Sequence, residues 1–339
     1  MLLIIYEEAW ADEGAPASGA TGKPLRADYP TLEELRKAAP ALILSHNLHG
    51  VDIDPRCAQI AQLALWMRGQ RAFKEAGVPR SDRPVIRRAN IVIAEPMPGD
   101  TKLLDEFAAT VRPAFMGSLF KEIVSEMRLA GEMGALLPIE RKLSASIQNA
   151  RVAFSKQAER SENFLPGFEP VKRQGELDLS GIDNFAFFER AEEQIFGALQ
   201  AYVSDAVNGR GIRRRLFADD AEQGIAFVET MGRKFDVVLM NPPFGAGSLI
   251  AKKEFESSYP RTKNDIFAAF VERGVELLLQ RGMLGAITSR TGFFLSSFQQ
   301  WREEILLKDA PPVVFADLGY GVLDSAMVEV AAYCLEKKP

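Results

Sequence analysis

Apolar positions along this chain recur at two spacings, one near 3.6 residues and one in short continuous runs, and the way they alternate predicts the architecture. Leu2, Leu3, Tyr6 and Trp10 fall near one face of a helix that opens the chain without a cap. Residues 11–30, ADEGAPASGATGKPLRADYP, are rich in Gly, Ala and Pro and read as a surface loop. Thr31 begins a second helix, because TLEE has the Ser/Thr-x-x-Glu form of a capping box. NLHGVDID (47–54) follows as a short apolar strand ending on acids, and Pro55 sits where a helix accepts proline in its first turn. That helix runs to about Phe73 with one apolar face. VIRRANIVIAEPMPGD (85–100) carries another β-branched run, closed by prolines and a glycine. Strand, helix and strand in succession predict an α/β unit with a parallel sheet.

Long helical periodicities take over from about Leu103 to Arg233, broken by a polar, turn-rich stretch at 155–181, and this block reads as a helical insertion. The alternation then returns: the strand FDVVLM, a helix from Asp265 to Gln280, the strand MLGAITS, a helix around Ser297 to Leu307, the strand VVFADL, and a β-rich stretch from Met327 to Glu336. Three parts follow: a first α/β part at 1–102, the insertion at 103–233 and a second α/β part at 234–339.

Composition narrows the class. With 339 residues, 47% of them hydrophobic and 26% charged, the chain can bury one large core or two smaller ones. No apolar run approaches the roughly 20 residues of a membrane helix. The first ten residues lack both the basic flank and the cleavage site of a signal peptide. Both features point to the cytoplasm and to no membrane partner. Cys57 and Cys334 have neither metal-ligand nor disulfide spacing, and His46 and His49 read as packing or solvent-facing residues, so no metal is expected. A net charge of -5 argues against a freestanding, high-affinity nucleic-acid binder, so any nucleic acid would be held locally.

The chemistry concentrates in KFDVVLMNPPFGAG (234–247). A loop directly after an apolar strand of a parallel sheet stands at the edge where ligands gather. Consecutive prolines stiffen it and leave the preceding carbonyl free to accept a hydrogen bond. Asn241 adds an amide oxygen, and Phe244 a flat apolar face on which a base stacks. Two acceptors beside an aromatic face suit an exocyclic amino group. Its lone pair is delocalised into the ring; accepting both hydrogens draws the nitrogen towards a nucleophilic, tetrahedral shape and positions it against an electrophilic methyl.

KFDVVLMNPPFG resembles the catalytic motif of the amino methyltransferases that use S-adenosylmethionine, chiefly the N6-adenine DNA methyltransferases. LHGVDIDP (48–55) is similar to that family's second motif. The resemblance implies that Asp52 binds the ribose hydroxyls of the cofactor and Ile53 packs on its adenine. RRANIVIAEPMPGD resembles the third motif and assigns the reading of that adenine to Asn90, with Ile91 beside it. TKNDIFAAFVERGVELL (262–278) resembles the segment lining the methionine end of the pocket, with Asp265 and Phe267 the residues of interest. SRTGFFLSSFQQWREEIL and DLGYGVLDSAMVEVAAYCLEK are most similar to the adenine methyltransferases of BREX phage-defence systems. The implied fold is α/β: a Rossmann-like S-adenosylmethionine-dependent methyltransferase sheet with a large helical insertion. The implied partner is double-stranded DNA with a flipped adenine.

Lys252, Lys253, Arg261 and Arg290 flank the catalytic loop and are the candidate contacts to the DNA backbone; RGIRRR (210–215) reads as an exposed helix start. The first strand of the family and its loop of form DPxxGSG do not occur in these residues, nor does a region that would recognise a DNA sequence. A sheet without that central strand is expected to have an unfilled position and two exposed edges, with further regions or other defence proteins as partners. VVFADLGYG (313–321) offers an alternative, a circular permutation in which this segment supplies the missing strand and loop. Three functions stay open: an adenine-N6 DNA methyltransferase, a methyltransferase acting on RNA or on a protein glutamine, and an inactive remnant that only binds partners.

Overall fold

The computed structural model describes residues 1–18, 21–85, 90–97, 99–111, 114–143, 195, 197–199, 201–202, 211–243, 245, 249–322 and 328–339, with the backbone alone at 114, 115 and 211. The polar stretch at 155–181 lies outside the described residues. The chain packs as two compact units, Met1–Ile93 and Ala94–Pro339. The helical segments after Ile93 therefore share a unit with the second α/β part.

In the first unit, helices α1 (Leu2–Ala11), α2 (Leu25–Asp28) and α3 (Leu32–Leu42) precede strand β1 (His49–Asp52), helix α4 (Pro55–Glu75) and strand β2 (Asn90–Ile93). The capping box forms as expected: the Glu34 N–H donates to the Thr31 hydroxyl at 3.2 Å, and the Thr31 N–H to the Glu34 carboxylate at 3.0 Å. Part of the expected loop at 11–30 is the single helical turn α2, held under α1 where Arg26 donates to the carbonyls of Trp10 and Ala11. Strands β1 and β2 pair in parallel, with His49 opposite Asn90 and Asp52 opposite Ile93. Helix α4 departs from a simple amphipathic pattern. It buries Ala58, Gly69, Ala72 and Phe73 and leaves Ile60, Leu63, Trp66 and Met67 exposed. Gly69 lets α4 pack closely there, since a Cβ would stand 2.5 Å from the end of the Leu44 side chain.

The second unit begins with helices α5 (Thr101–Thr110), α6 (Ala114–Glu126), α7 (Ala130–Met133) and α8 (Gly211–Gly232). Phe107 of α5 meets Phe120 of α6 at 4.9 Å and Phe217 of α8 at 5.8 Å, both edge to face, so aromatic packing forms this core. Strand β3 (Phe235–Met240), helices α9 (Lys252–Ser258) and α10 (Ile266–Leu277), and strands β4 (Leu278–Ser289), β5 (Pro312–Gly319) and β6 (Val330–Glu336) follow. The sheet order is β3-β4-β6-β5, with β3 parallel to β4 and β6 antiparallel to both of its neighbours. The α/β reading thus holds, but the strands form two sheets, and only part of the second is parallel.

Two readings change. The helix expected to reach Gln280 stops at Leu277 and β4 starts at Leu278, five residues early. Leu278 pairs with Phe235 and Met283 with Val237, and the excess residues loop out around Arg281, whose φ of 64° turns the chain. Arg281 and Gly282 exchange backbone hydrogen bonds with Lys337 at 2.9 and 3.0 Å, which stabilises strand over helix. VVFADLGYG forms the edge strand β5 antiparallel to β6, with Gly319 and Gly321 at positive φ. A cofactor strand of a permuted fold would be central and parallel, so this segment does not supply it.

Helix α10 organises this unit. Gly274 lets it approach the sheet, for a Cβ there would stand 2.5 Å from both Leu284 and Met240. Its N-cap is Asp265, whose carboxylate accepts from the Phe267 N–H at 3.1 Å. Near its far end Arg273, 2% exposed, donates to Glu140 at 2.8 Å and to the Ala135 carbonyl at 3.1 Å. Removing one partner of a buried pair strands the other charge in a poor dielectric. Arg273→Ala is therefore expected to lower stability by about 3–5 kcal/mol in urea unfolding, with Arg273→Lys recovering only part because it loses the two-pronged geometry. Burial raises the Asp265 carboxyl above its ordinary 3.8, against the lowering effect of backbone N–H bonds. The folded state binds this proton more tightly than the unfolded chain, so the ionised form costs stability as pH climbs from 3.8 through the raised value. The stability of the wild-type chain relative to Asp265→Asn should fall across that window and level off above it, measured by urea unfolding between pH 3.5 and 8.

Candidate active site

The two units carry the candidate residues separately. In the first, the parallel pair ends at Asp52, and its carboxylate accepts from the Asp54 N–H at 2.9 Å. That turn aims the chain into α4, which Asp54 caps by accepting from the Arg56 N–H at 2.9 Å. The Arg56 side chain and N–H hold the partly exposed Asp54 carboxyl down to about 2. Asp54 is thereby committed to the helix, while Asp52 accepts with one oxygen in the turn and its other oxygen has no hydrogen bond among the described residues. Ile53, 53% exposed, stands beside it at the ligand end of the strand pair.

Asn90 and Ile91 stand elsewhere. Both belong to β2, but Asn90 is its first residue, opposite His49, at the end away from Asp52. Three residues at about 3.3 Å each separate those levels. The Asn90 amide donates to the Ser45 carbonyl at 2.8 Å, and Ile91 lies over Gly50, where a Cβ would be 2.7 Å from it. These are packing roles. The residue level with Asp52 is Ile93, and the next acid along the chain is the exposed Glu95, which the sequence reading passed over.

In the second unit, β3 delivers Asn241 and Pro243 exposed and Pro242 buried. Phe244 lies outside the described residues. Gly245 has a φ of 103°, a conformation that disfavours any side chain, and its carbonyl accepts from the Ile266 N–H at 3.1 Å. Its N–H in turn contributes a hydrogen bond to the half-buried Asp265 carboxylate. Asp265 therefore ties the loop after Asn241 to the start of α10. Phe267 is buried in the core, its ring stacked on Phe298 at 5.2 Å, and so is a support rather than a contact surface. No signal in the sequence ties Gly245 to Asp265, twenty positions away.

The candidate DNA contacts divide. Lys252 and Lys253 are exposed at the start of α9, Lys252 standing 3.9 Å from Glu256. Arg261 is spoken for: it donates to Glu272 at 2.9 Å and to Asp309 at 2.8 Å and clamps α10 to the chain before β5. Arg290 pairs with Asp317 at 2.9 Å and Glu329 at 2.8 Å, joining the end of β4 to the neighbouring strands. In the helix start at 211–215, Arg213 and Arg214 pair with Asp100 and Glu106. Among the described residues no helix is long and apolar enough to cross a membrane, and no cluster of three or more His, Cys, Asp or Glu could hold a metal.

Residues 46–315 match the family described as Eco57I restriction-modification methylase. The chain is 26% identical over 321 residues to the adenine-specific methyltransferase BrxX of Escherichia coli O9:H4 (strain HS), covering 92% of this chain and 23% of that protein. It is 22% identical over 311 residues to the adenine-specific methyltransferase PglX of Lacticaseibacillus casei (strain Zhang), covering 89% and 21%. The chain thus spans less than a quarter of the length of these relatives. A solved structure described as a class I S-adenosylmethionine-dependent methyltransferase from Listeria monocytogenes overlaps 70% of this chain and 86% of its own, at 13% identity and a TM-score of 0.28. With its match extending from the strand that presents Asp52 to the one that follows Arg290, the chain belongs to the Eco57I restriction-modification methylase family.

Proposed function

We propose that this chain carries the catalytic loop and the cofactor-binding acid of an adenine-N6 DNA methyltransferase of phage defence or restriction-modification. The methylase family implies S-adenosylmethionine as cofactor, which supplies an electrophilic methyl when bound. The observation that carries the reading is the exposed Asn241 at the carboxyl end of β3, on a loop pinned through Gly245 to Asp265 and Ile266.

The residues then divide the work. Asp52, with one carboxylate oxygen left after the turn, suits a pair of ribose hydroxyls, and the exposed Ile53 suits the face of an adenine; both fit the adenosyl group. Asp265, half-buried and already accepting from backbone N–H groups, supports the loop and stands at the methionine end by resemblance. The Asn241 amide oxygen and the Pro242 carbonyl would accept the two hydrogens of the adenine amino group, and Phe244 would stack on the ring. Adenine in duplex DNA is paired and stacked, so the base must swing out to reach them. Lys252 and Lys253 are the cations placed for the phosphates beside it.

Calorimetric titration with S-adenosylmethionine tests the first half. Asp52→Ala should weaken binding by about 100-fold, the scale of losing hydrogen bonds to a charged acceptor, whereas Asn90→Ala should leave it within about twofold. Asn241→Ala should cut the formation of 6-methyladenine in DNA, read by mass spectrometry, by about 100-fold or more with cofactor affinity unchanged, as expected when the amine loses its alignment.

A further inference from the structure

Two adjacent large apolar side chains stand in solvent at the sheet edge that holds Asn241. Phe294 is 67% exposed and Leu295 51%. Phe293, just before them, is turned the other way, its ring edge-to-face with Phe315 at 4.8 Å, Tyr333 at 5.3 Å and Trp301 at 5.4 Å. The turn between is braced. Arg302 donates to the carbonyls of Gly292 and Leu295, each at 2.7 Å, and the N–H groups of Phe294 and Leu295 both donate to the Thr291 carbonyl at 3.2 and 3.0 Å. Gly292 has no room for a side chain, since a Cβ would stand 2.9 Å from the Phe267 ring and 3.0 Å from Trp301. A loose turn could fold Phe294 inward; this one holds it out.

Its position relative to the catalytic loop follows from the sheet. Strands β3 and β4 are parallel, with Met240 opposite Ala286, so both deliver their following residues to one edge. The Asn264 amide donates to the Ser297 carbonyl at 2.8 Å, and the Ile266 N–H to Gly245 at 3.1 Å. The start of α10 therefore touches both the catalytic loop and the turn that carries Phe294. The Arg290 guanidinium lies 5.7 Å from the Phe294 ring centroid, but Asp317 and Glu329 already balance its charge. What the turn offers a ligand is apolar and flat, not a phosphate site.

The apolar part of duplex DNA is its base stack. Resting on the reading above, we propose that Phe294, backed by Leu295, is a wedge that enters the base stack at the position a flipped adenine leaves. Removing a base from the stack leaves a hole and an orphaned partner, and an inserted apolar side chain refills it. The braced backbone keeps the ring extended before DNA arrives, so little ordering is left to pay for on binding.

The test uses the 339-residue chain and two fluorescein-labelled 24-base-pair duplexes of mixed sequence, one fully paired and one with a single abasic site, a hole made in advance. Anisotropy titrations should show the wild-type chain binding the abasic duplex about tenfold more tightly, the scale of one base–aromatic stack. Phe294→Ala should lose that preference and Phe294→Trp should keep it, with tryptophan emission quenched by the abasic duplex beyond the change seen in wild type. Lys252→Ala should weaken both duplexes equally, which separates phosphate attraction from stacking. A wild-type chain that binds both duplexes without preference, or a Phe294→Ala chain that retains the preference, overturns the wedge and leaves the methyltransferase reading intact. A chain that binds neither duplex nor S-adenosylmethionine overturns both. Phe294 is exposed, so its variants should unfold at the wild-type urea midpoint; Phe294→Trp emission that the abasic duplex leaves unchanged would also sink the wedge.

Discussion

The carboxylate of Asp265 is the point on which the second unit's sheet edge depends. It caps α10 through Phe267 and takes N–H bonds from Ile266 and from Gly245, so one half-buried charge holds a helix start and the loop after Asn241 together. Desolvation works against it, as the raised pKa records, and the bonds from the backbone offset part of that cost. A loop proposed to present two acceptors at fixed spacing gains from such a tie, because each dihedral it leaves free would have to be frozen again on binding.

The helix held at one end by Asp265 is held at the other by charge as well. Arg273 reaches Glu140 and the Ala135 carbonyl, while Lys234 and Lys337 donate to the carbonyls of Glu276 and Leu278 at 2.8 Å, satisfying the helix C-terminus. Arg261 fixes the outer face of α10 to Asp309. In between, Gly274 lets the helix settle against Met240 and Leu284. Polar contacts along α10 and close packing at Gly274 together hold it against β3 and β4.

This use of arginine reconciles an acidic chain with the proposed nucleic-acid partner. Arg213, Arg214, Arg261 and Arg290 are bound to acids of the same unit, so they hold the fold together rather than advertising a basic surface. Exposed cations near the loop after Asn241 include Lys252, Lys253 and Lys263, and exposed apolar residues near it include Leu249, Ile250, Phe294 and Leu295. The proposed DNA contact is thus narrow, and it leans more on stacking than on charge.

Features that depend on neighbours three or four residues away were legible in the sequence. The Thr31–Glu34 box, the start of α4 at Pro55, the ends of β1 at Asp52 and of β3 before Asn241 all follow from local hydrogen bonding and from what proline permits. The α/β alternation was legible for the same reason. What the sequence could not carry was pairing between distant residues. Where β2 places Asn90 depends on its register with β1; whether Arg261 is free depends on Glu272 and Asp309 arriving beside it; and β4 begins five residues early because Lys337, more than fifty positions on, takes the backbone bonds of Arg281 and Gly282. By itself the sequence determined which residues start helices and end strands, since local backbone preferences act before the chain folds. Only the tertiary structure decided which of them remain exposed and unpaired, because burial and ion pairing are properties of neighbours in space.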